Sequence, residues 1–239
     1  MILPCVEYLD WDSHFFGFPV ARVNTDSTNI EDWNEILSQL KSRQVKLIYW
    51  LRKPGDHLFK KFANRNHAAL VDIKTTYTAH LSDDHYVRHR NIENYKQNLP
   101  GKELLDLSVQ CGSRSRFAVD KRIPVSKFQE LYHLWMARSI EKTMADEVMV
   151  YSDDGLIVAM VTVYKKNNAG HIGLIGVDEN YRGRGIGKAL IDAAKNYFLS
   201  IETRKIEVVT QGHNVSACLM YERTGFFVSE RFDFYHFWL

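Results

Sequence analysis

Apolar and polar positions follow two periods along this chain, and each change of period marks an element. In "IEDWNEILSQL", Ile30, Trp33, Ile36, Leu37 and Leu40 recur at the spacing of one helical face, so residues 30–40 are predicted to be a helix. "LIYWL" at 47–51 is a short apolar run expected as a buried strand, and "AALVDIKTTYTAHL" at 68–81 is a longer β-rich one. Residues 82–101 are polar and end in Pro-Gly, which predicts a linker. Beyond it, "PVSKFQELYHLWMARSIEK" at 124–142 puts Phe128, Leu131, Leu134, Trp135 and Ile140 near one helical face behind a Pro and Ser start.

The carboxyl-terminal half reads more sharply. "EVMVYS" and "GLIVAMVTVY" are strands joined at "DDG", a hairpin signal. "HIGLIGV" at 171–177 is a further strand. A helix over about 184–200 buries Ile186, Leu190, Ala194, Phe198 and Ile201. "KIEVVTQ" is a strand, "NVSACLMYERTGF" a short helix closed by Gly225, and "FFVSERFDFYHFWL" two aromatic strands. Strands and helices interleave throughout, so the expected fold class is α/β, an α+β mixed sheet. The expected domains are a smaller amino-terminal α/β domain over 1–82 and a second over 83–239.

Composition narrows the partners. With 45% hydrophobic and 25% charged residues, the 239-residue chain is ordinary for a globular protein. A net charge of +2 gives no global basic field for nucleic acid. "MILPCVEYLD" lacks the features of a signal peptide, and no apolar run is long enough to span a bilayer. The three cysteines, Cys5, Cys111 and Cys218, form no Cys-x-x-Cys pair, so a cytoplasmic location without a disulfide framework is expected. "HLSDDHYVRH" holds His80, Asp83, Asp84, His85 and His89 but lacks a complete zinc ligand set, so a solvated loop and no metal are expected.

The stretch "VDENYRGRGIGKAL" at 177–190 carries the candidate chemistry. It is not a nucleotide P-loop, because residue 182 is Arg and residue 189 is Ala where that motif needs Gly and a hydroxyl. It is not the dinucleotide fingerprint, because Lys188 stands where the third Gly belongs. It does fit Arg-x-x-Gly-x-Gly through Arg182, Gly185 and Gly187. Glycines let a backbone approach a pyrophosphate closely, the first amides of a helix lack partners, and the helix dipole is positive there. Arg182 and Arg184 add charge. Downstream, Asn214 and Tyr221 lie seven residues apart on nearly one helical face, with Asn214 as the cap.

Together "LIGVDENYRGRGIGKAL" and "NVSACLMYERTGF" make residues 146–227 resemble the acetyl-CoA-binding core of the GNAT superfamily of N-acetyltransferases. The resemblance implies a GNAT fold, acetyl-CoA as cosubstrate, and a cofactor site of Ile175, Gly176, Val177, Arg182, Gly183, Arg184, Gly185, Ile186, Gly187, Lys188 and Asn214. It implies that Asn214 hydrogen-bonds pantetheine and that Tyr221 is the general acid. A tyrosine, with an ordinary pKa of about 10, is protonated at neutral pH and suits a thiolate of pKa about 8.5. A backbone N–H of the "LIGV" strand suits the oxyanion. The base stays open among Asp178, Glu179, Glu141, Asp146, His213 and water.

The acceptor is approached through "LDWDSHFFGF" at 9–18, which reads as a core strand edge or as an aromatic cover for a substrate. With "SRF" at 115–117 and "TQ" at 210–211 it resembles the bacterial dTDP-fucosamine acetyltransferases. That resemblance implies a dTDP-linked 4-amino-4,6-dideoxyhexose as acceptor, for surface polysaccharide synthesis, with residues 1–82 on the acceptor side. It implies substrate contacts from Phe15, Phe16, Arg114, Arg116 and Gln211. Acetylation of a peptide amino terminus, polyamine or antibiotic, a non-catalytic acyl-CoA-binding role, and a homodimer all stay open.

Overall fold

The computed structural model describes residues 5–24, 33–82 and 87–239, and the chain divides into two compact units. One comprises Met1–Lys74 with Arg231–Leu239, the other Thr75–Glu230.

In the first unit, β1 (Val6–Tyr8) pairs antiparallel with β2 (Val20–Val23), and β2 runs parallel to β3 (Leu47–Arg52). The end of the last strand, β10 (Phe227–Trp238), pairs antiparallel with β3, Trp238 opposite Leu47. Between these strands lie α1 (Asp10–Phe16), α2 (Trp33–Ser42) and α3 (His57–Arg65). The helical period of α2 buries Trp33, Ile36 and Leu40 against Trp50, Phe59 and Phe237. Ile30 and the rest of 25–32 lie outside the described residues. Two expectations are corrected. The "DWDSHFF" stretch is a helix rather than a strand edge, stopped by Gly17 at φ 78°. The terminal "FFVSERFDFYHFWL" is one long strand rather than two, because no turn residue interrupts it.

The second unit holds the strand order β10-β4-β9-β8-β7-β6-β5, built from the start of β10, β4 (Ala69–His80), β5 (Ile92–Asn94), β6 (Glu147–Asp153), β7 (Leu156–Lys166), β8 (Ala169–Val177) and β9 (Lys205–Gln211). The expected linker contains β5, which pairs with Met149–Tyr151 of β6. The β6–β7 hairpin turns at Asp154 and Gly155, with φ 48° and 82°. Five helices complete the unit: α4 (Lys102–Gly112), α5 (Arg116–Val119), α6 (Val125–Ile140), α7 (Ile186–Ser200) and α8 (Val215–Arg223). Leu190, Ile191, Ala194 and Phe198 of α7 pack on Val161, Val163 and Ile172 of the sheet. Leu104 and Leu107 of α4 pack with Met136 of α6 on Val148, Val150 and Met160.

Two irregularities shape the site. The β7–β8 register slips between Val161 and Val163, where the Leu174 N–H donates to the Thr162 hydroxyl at 2.8 Å; bulges of this kind gather beside functional sites. The parallel pairing of β8 with β9 covers Gly170 to Ile172 and stops, although both strands continue. From Ile175 to Val177, β8 therefore has a backbone partner in β7 but none in β9.

Candidate active site

The parting of β8 and β9 opens a cleft of about 290 Å³ in the second unit. Ile175, Gly176 and Val177 of β8 form its floor. The turn after β8 and the start of α7 form one end, with Tyr181, Arg182, Gly183, Gly185, Ile186 and Gly187. Asn214, Ser216, Ala217 and Met220 of the α8 region line one side. Gln110 and Cys111 of α4, then Ser113 and Arg114, line the other. The His213 Nε2 lies 3.2 Å from the Arg114 carbonyl, linking the two walls.

Gly185 is the N-cap of α7 at φ 80°, a left-handed conformation that an L side chain enters only under strain. No side chain caps α7, and a Cβ built on Gly183 or Gly185 meets nothing within 4 Å, so the first amides of a 15-residue helix face open space. At Gly187 a Cβ would lie 2.6 Å from the Met220 sulfur, so this glycine lets α7 and α8 close together. The cradle fits a pyrophosphate through backbone N–H groups and helix dipole.

Each of the three cations bonds within the protein. Arg182 Nε donates to the Val177 carbonyl at 3.0 Å and a terminal nitrogen donates to Gln110 Oε1 at 3.4 Å. Arg184 donates to the Asn180 carbonyl and stacks over Tyr181 at 4.8 Å. Lys188 pairs with Asp192 at 2.7 Å. Arg184 and Lys188 do not line the cleft. Arg182 and Arg184 thus brace the turn, and Lys188 is tied to α7.

Asn214 accepts the Ala217 N–H at 3.5 Å and the Ser216 hydroxyl at 3.1 Å on one oxygen, as a cap should. Tyr221 is 2% exposed and sits behind the lining, packed at a tilt between the Tyr77 ring at 5.5 Å and the Phe226 ring at 5.8 Å. Burial pushes its hydroxyl well above the ordinary tyrosine range, and the Cys111, Cys218 and Tyr77 side chains nearby push it further. Tyr77 in turn donates to Glu222 at 2.9 Å. Of the candidate bases, Asp178 accepts bonds from Gln110 and Asn180, which hold its carboxyl below the usual range. Asp146 accepts the Lys165 N–H at 2.7 Å.

The acceptor candidates fall in different places. Arg114 lines the cleft. Arg116 stacks on Phe117 at 4.0 Å, and Gln211 offers its carbonyl to the Asn214 N–H at 2.8 Å; neither lines the cleft. Phe15 and Phe16 belong to the first unit, where Phe15 stacks on Trp11 at 5.4 Å and Phe16 is buried against Phe18. His85, Asp83 and Asp84 lie outside the described residues. Among those described, no three His, Cys, Asp or Glu residues are grouped to hold a metal ion, and no helix is long and apolar enough to cross a membrane.

Sequence patterns missed the α4 wall. The signal was present in "KELLDLSVQCG", where Leu104, Leu107, Ser108 and Cys111 follow a helical period.

Residues 117–226 match the acetyltransferase (GNAT) family. The fold is the GNAT acetyltransferase fold. A GCN5-related N-acetyltransferase from Sphaerobacter thermophilus superposes with a TM-score of 0.60 at 17% identity, over 97% of this chain and 75% of that one. The sequence is also similar to curated proteins over part of its length. The spore coat polysaccharide biosynthesis protein SpsD of Bacillus subtilis is 24% identical over 138 residues, 56% of this chain and 46% of that protein. A mycothiol acetyltransferase of Beutenbergia cavernae is 34% identical over 80 residues, 33% of this chain and 27% of that protein. The chain thus spans less than half the length of these curated relatives.

Proposed function

We propose that this chain is an N-acetyltransferase that moves the acetyl group of acetyl-CoA to the amine of a nucleotide-linked amino-deoxy sugar, a dTDP-4-amino-4,6-dideoxyhexose, in surface polysaccharide synthesis. The observation that carries the acetyl-CoA half is the uncapped glycine start of α7 at the end of a cleft floored by unpaired β8. The likeness to a spore coat polysaccharide biosynthesis protein supports the sugar half. Three free cysteines suit a reducing cytoplasm.

Acetyl-CoA supplies an activated thioester. The amides at Gly183–Lys188 bind the pyrophosphate, and the Asn214 amide nitrogen donates to the pantetheine arm. The β9-facing N–H groups of Ile175–Val177 hold the carbonyl oxygen as it gains charge. A neutral acceptor amine attacks the carbonyl carbon, the carbon–sulfur bond breaks, Tyr221 gives its proton to the departing sulfur, and the proton lost from the new amide nitrogen passes through water to restore the Tyr221 hydroxyl. Arg114, exposed at the cleft wall, meets the acceptor's diphosphate, and Arg116 and Gln211 add contacts to the acceptor.

The test compares kcat/KM for the dTDP-4-amino sugar, the free amino sugar and a short peptide amine. The nucleotide conjugate is expected to turn over fastest, because remote binding energy is used at the reacting centre. Equal rates for conjugate and free sugar would overturn the nucleotide-sugar assignment. The mycothiol acetyltransferase likeness favours a second acceptor class, an amine without a nucleotide, and a best rate on the peptide or free sugar would select it.

A further inference from the structure

Gln110 occupies the last turn of α4 and reaches three partners on the turn that follows β8. Its Nε2 donates to Asp178 Oδ2 at 3.1 Å. Its Oε1 accepts the Glu179 N–H at 3.2 Å and an Arg182 guanidinium N–H at 3.4 Å. The next residue, Cys111, donates its S–H to the Ile175 carbonyl at 3.1 Å. Two consecutive α4 residues therefore grip the end of β8 and the turn leading into the glycine start of α7.

The base of this grip is fixed. Leu104 and Leu107 are buried under α4. A Cβ on Gly112 would lie 2.3 Å from the Tyr132 ring, so α4 is seated directly on α6. The far side is softer: residues 179–184 are mostly exposed and carry two left-handed or loop glycine positions at Gly183 and Gly185. Side chains of Asp178, Arg182, Arg184 and Gln110 hold that segment. The Arg182 Nε bond ties it back to the end of β8, and the Gln110 bonds tie it across to α4.

We infer that Gln110 is a positioning residue for acetyl-CoA, its carboxamide holding the 178–182 turn against α4 so that the α7 amides stand ready for the pyrophosphate. The inference rests on the proposed acetyl-CoA site. A preformed anion cradle binds more tightly than one that must order first. Loss of the carboxamide therefore weakens ground-state binding and leaves the chemical step alone, a signature that a merely structural residue does not give. The Asp178 carboxylate, held ionised partly by this bond, makes the site sensitive to a carboxylate at 110.

The experiment measures CoA affinity by calorimetry and acetyl-CoA KM and kcat for the whole chain and for Gln110→Ala, Gln110→Glu and Gly185→Val, with thermal melts as fold controls. Gln110→Ala, which loses two charge-assisted hydrogen bonds and one neutral one, is expected to raise Kd and KM by about tenfold or more, with kcat within about twofold. Gln110→Glu sets two carboxylates face to face. Its affinity is expected to be weak near pH 8 and to recover as pH falls and one proton is shared between them. Wild-type affinity in a folded Gln110→Ala protein, or a Gln110→Glu affinity that does not change with pH relative to wild type, would overturn the positioning role while CoA binding itself stands. Absence of CoA binding by the wild-type chain, with Gly185→Val indistinguishable from it, would overturn the site and the positioning role together.

Discussion

Lys188 and Asp192 pair at 2.7 Å one turn apart on α7, and the carboxylate is buried while the ammonium is 61% exposed. His89 reaches the same Asp192 oxygen at 3.2 Å. The lysine is thus directed back along the helix, away from the glycine cradle. Lys188→Ala is expected to leave CoA affinity within about threefold, since its amide rather than its side chain faces the ligand. Asp192→Ala is expected to cost about 1–3 kcal/mol of stability, the usual loss when a buried charged hydrogen-bond partner is removed. Calorimetric titration of CoA into Lys188→Ala checks the first, and urea unfolding of Asp192→Ala checks the second.

Gly185→Val is expected to weaken CoA binding by more than about tenfold, or 1.4 kcal/mol. The branched side chain would stand at φ 80° in the space that phosphate must enter. Calorimetry on the folded variant is the measurement, and wild-type affinity would remove the cradle from the site.

Tyr221→Phe keeps the ring packing with Tyr77 and Phe226 and removes only the hydroxyl. Turnover is expected to fall by about 10²–10⁴ with acetyl-CoA affinity unchanged. Because burial holds this hydroxyl protonated far into the alkaline range, the rate should show no loss from Tyr221 ionisation below about pH 10. A threefold effect or less, with chemistry rate-limiting, would leave Tyr221 as packing.

Stability should also fall at alkaline pH. Tyr77 and Tyr221 both have folded-state pKa values raised by burial. Their contribution is complete below the unfolded value of about 10 and is lost as pH rises from there toward the folded values. Unfolding free energies measured between pH 8 and 11 should decline, and the decline should be shallower in Tyr77→Phe. Asp178 has the opposite sign. Its depressed pKa stabilises above the unfolded value of about 3.9 and is lost as pH falls through the folded one.

Elements with a strong period were legible in the sequence: α6 and α7 lie within two residues of their expected limits, and Asn214 caps α8 as its position implied. The glycine turn was legible because left-handed backbone at Gly183 and Gly185 has a residue signature. The side-chain partners of Arg184 and Lys188 were not, because an exposed cation near an anion site and one tied to Asp192 read identically in one dimension. Phe16 shows the same limit: an aromatic pair reads alike whether it covers a substrate or fills a core. Gln110 escaped notice because its bonds to residues 178, 179 and 182 join segments nearly seventy positions apart, which no local pattern records.

The separation of β8 from β9 beyond Ile172 leaves a strand edge inside a sheet rather than at its rim. Such an edge carries peptide groups that must be hydrated or covered, and it is the place where local opening begins. The amide hydrogens of Ile175 and Val177, which point away from β7 into the gap, should therefore exchange rapidly in the free protein, while those of Leu174, held by Thr162, and Gly176, facing Met160, stay protected. A ligand lying along the edge would slow the exposed ones and raise the melting temperature with its concentration. In a cell, resistance of this chain to proteolysis would then rise and fall with cosubstrate supply, so that the gap needed for chemistry also makes the lifetime of the protein a readout of metabolic state.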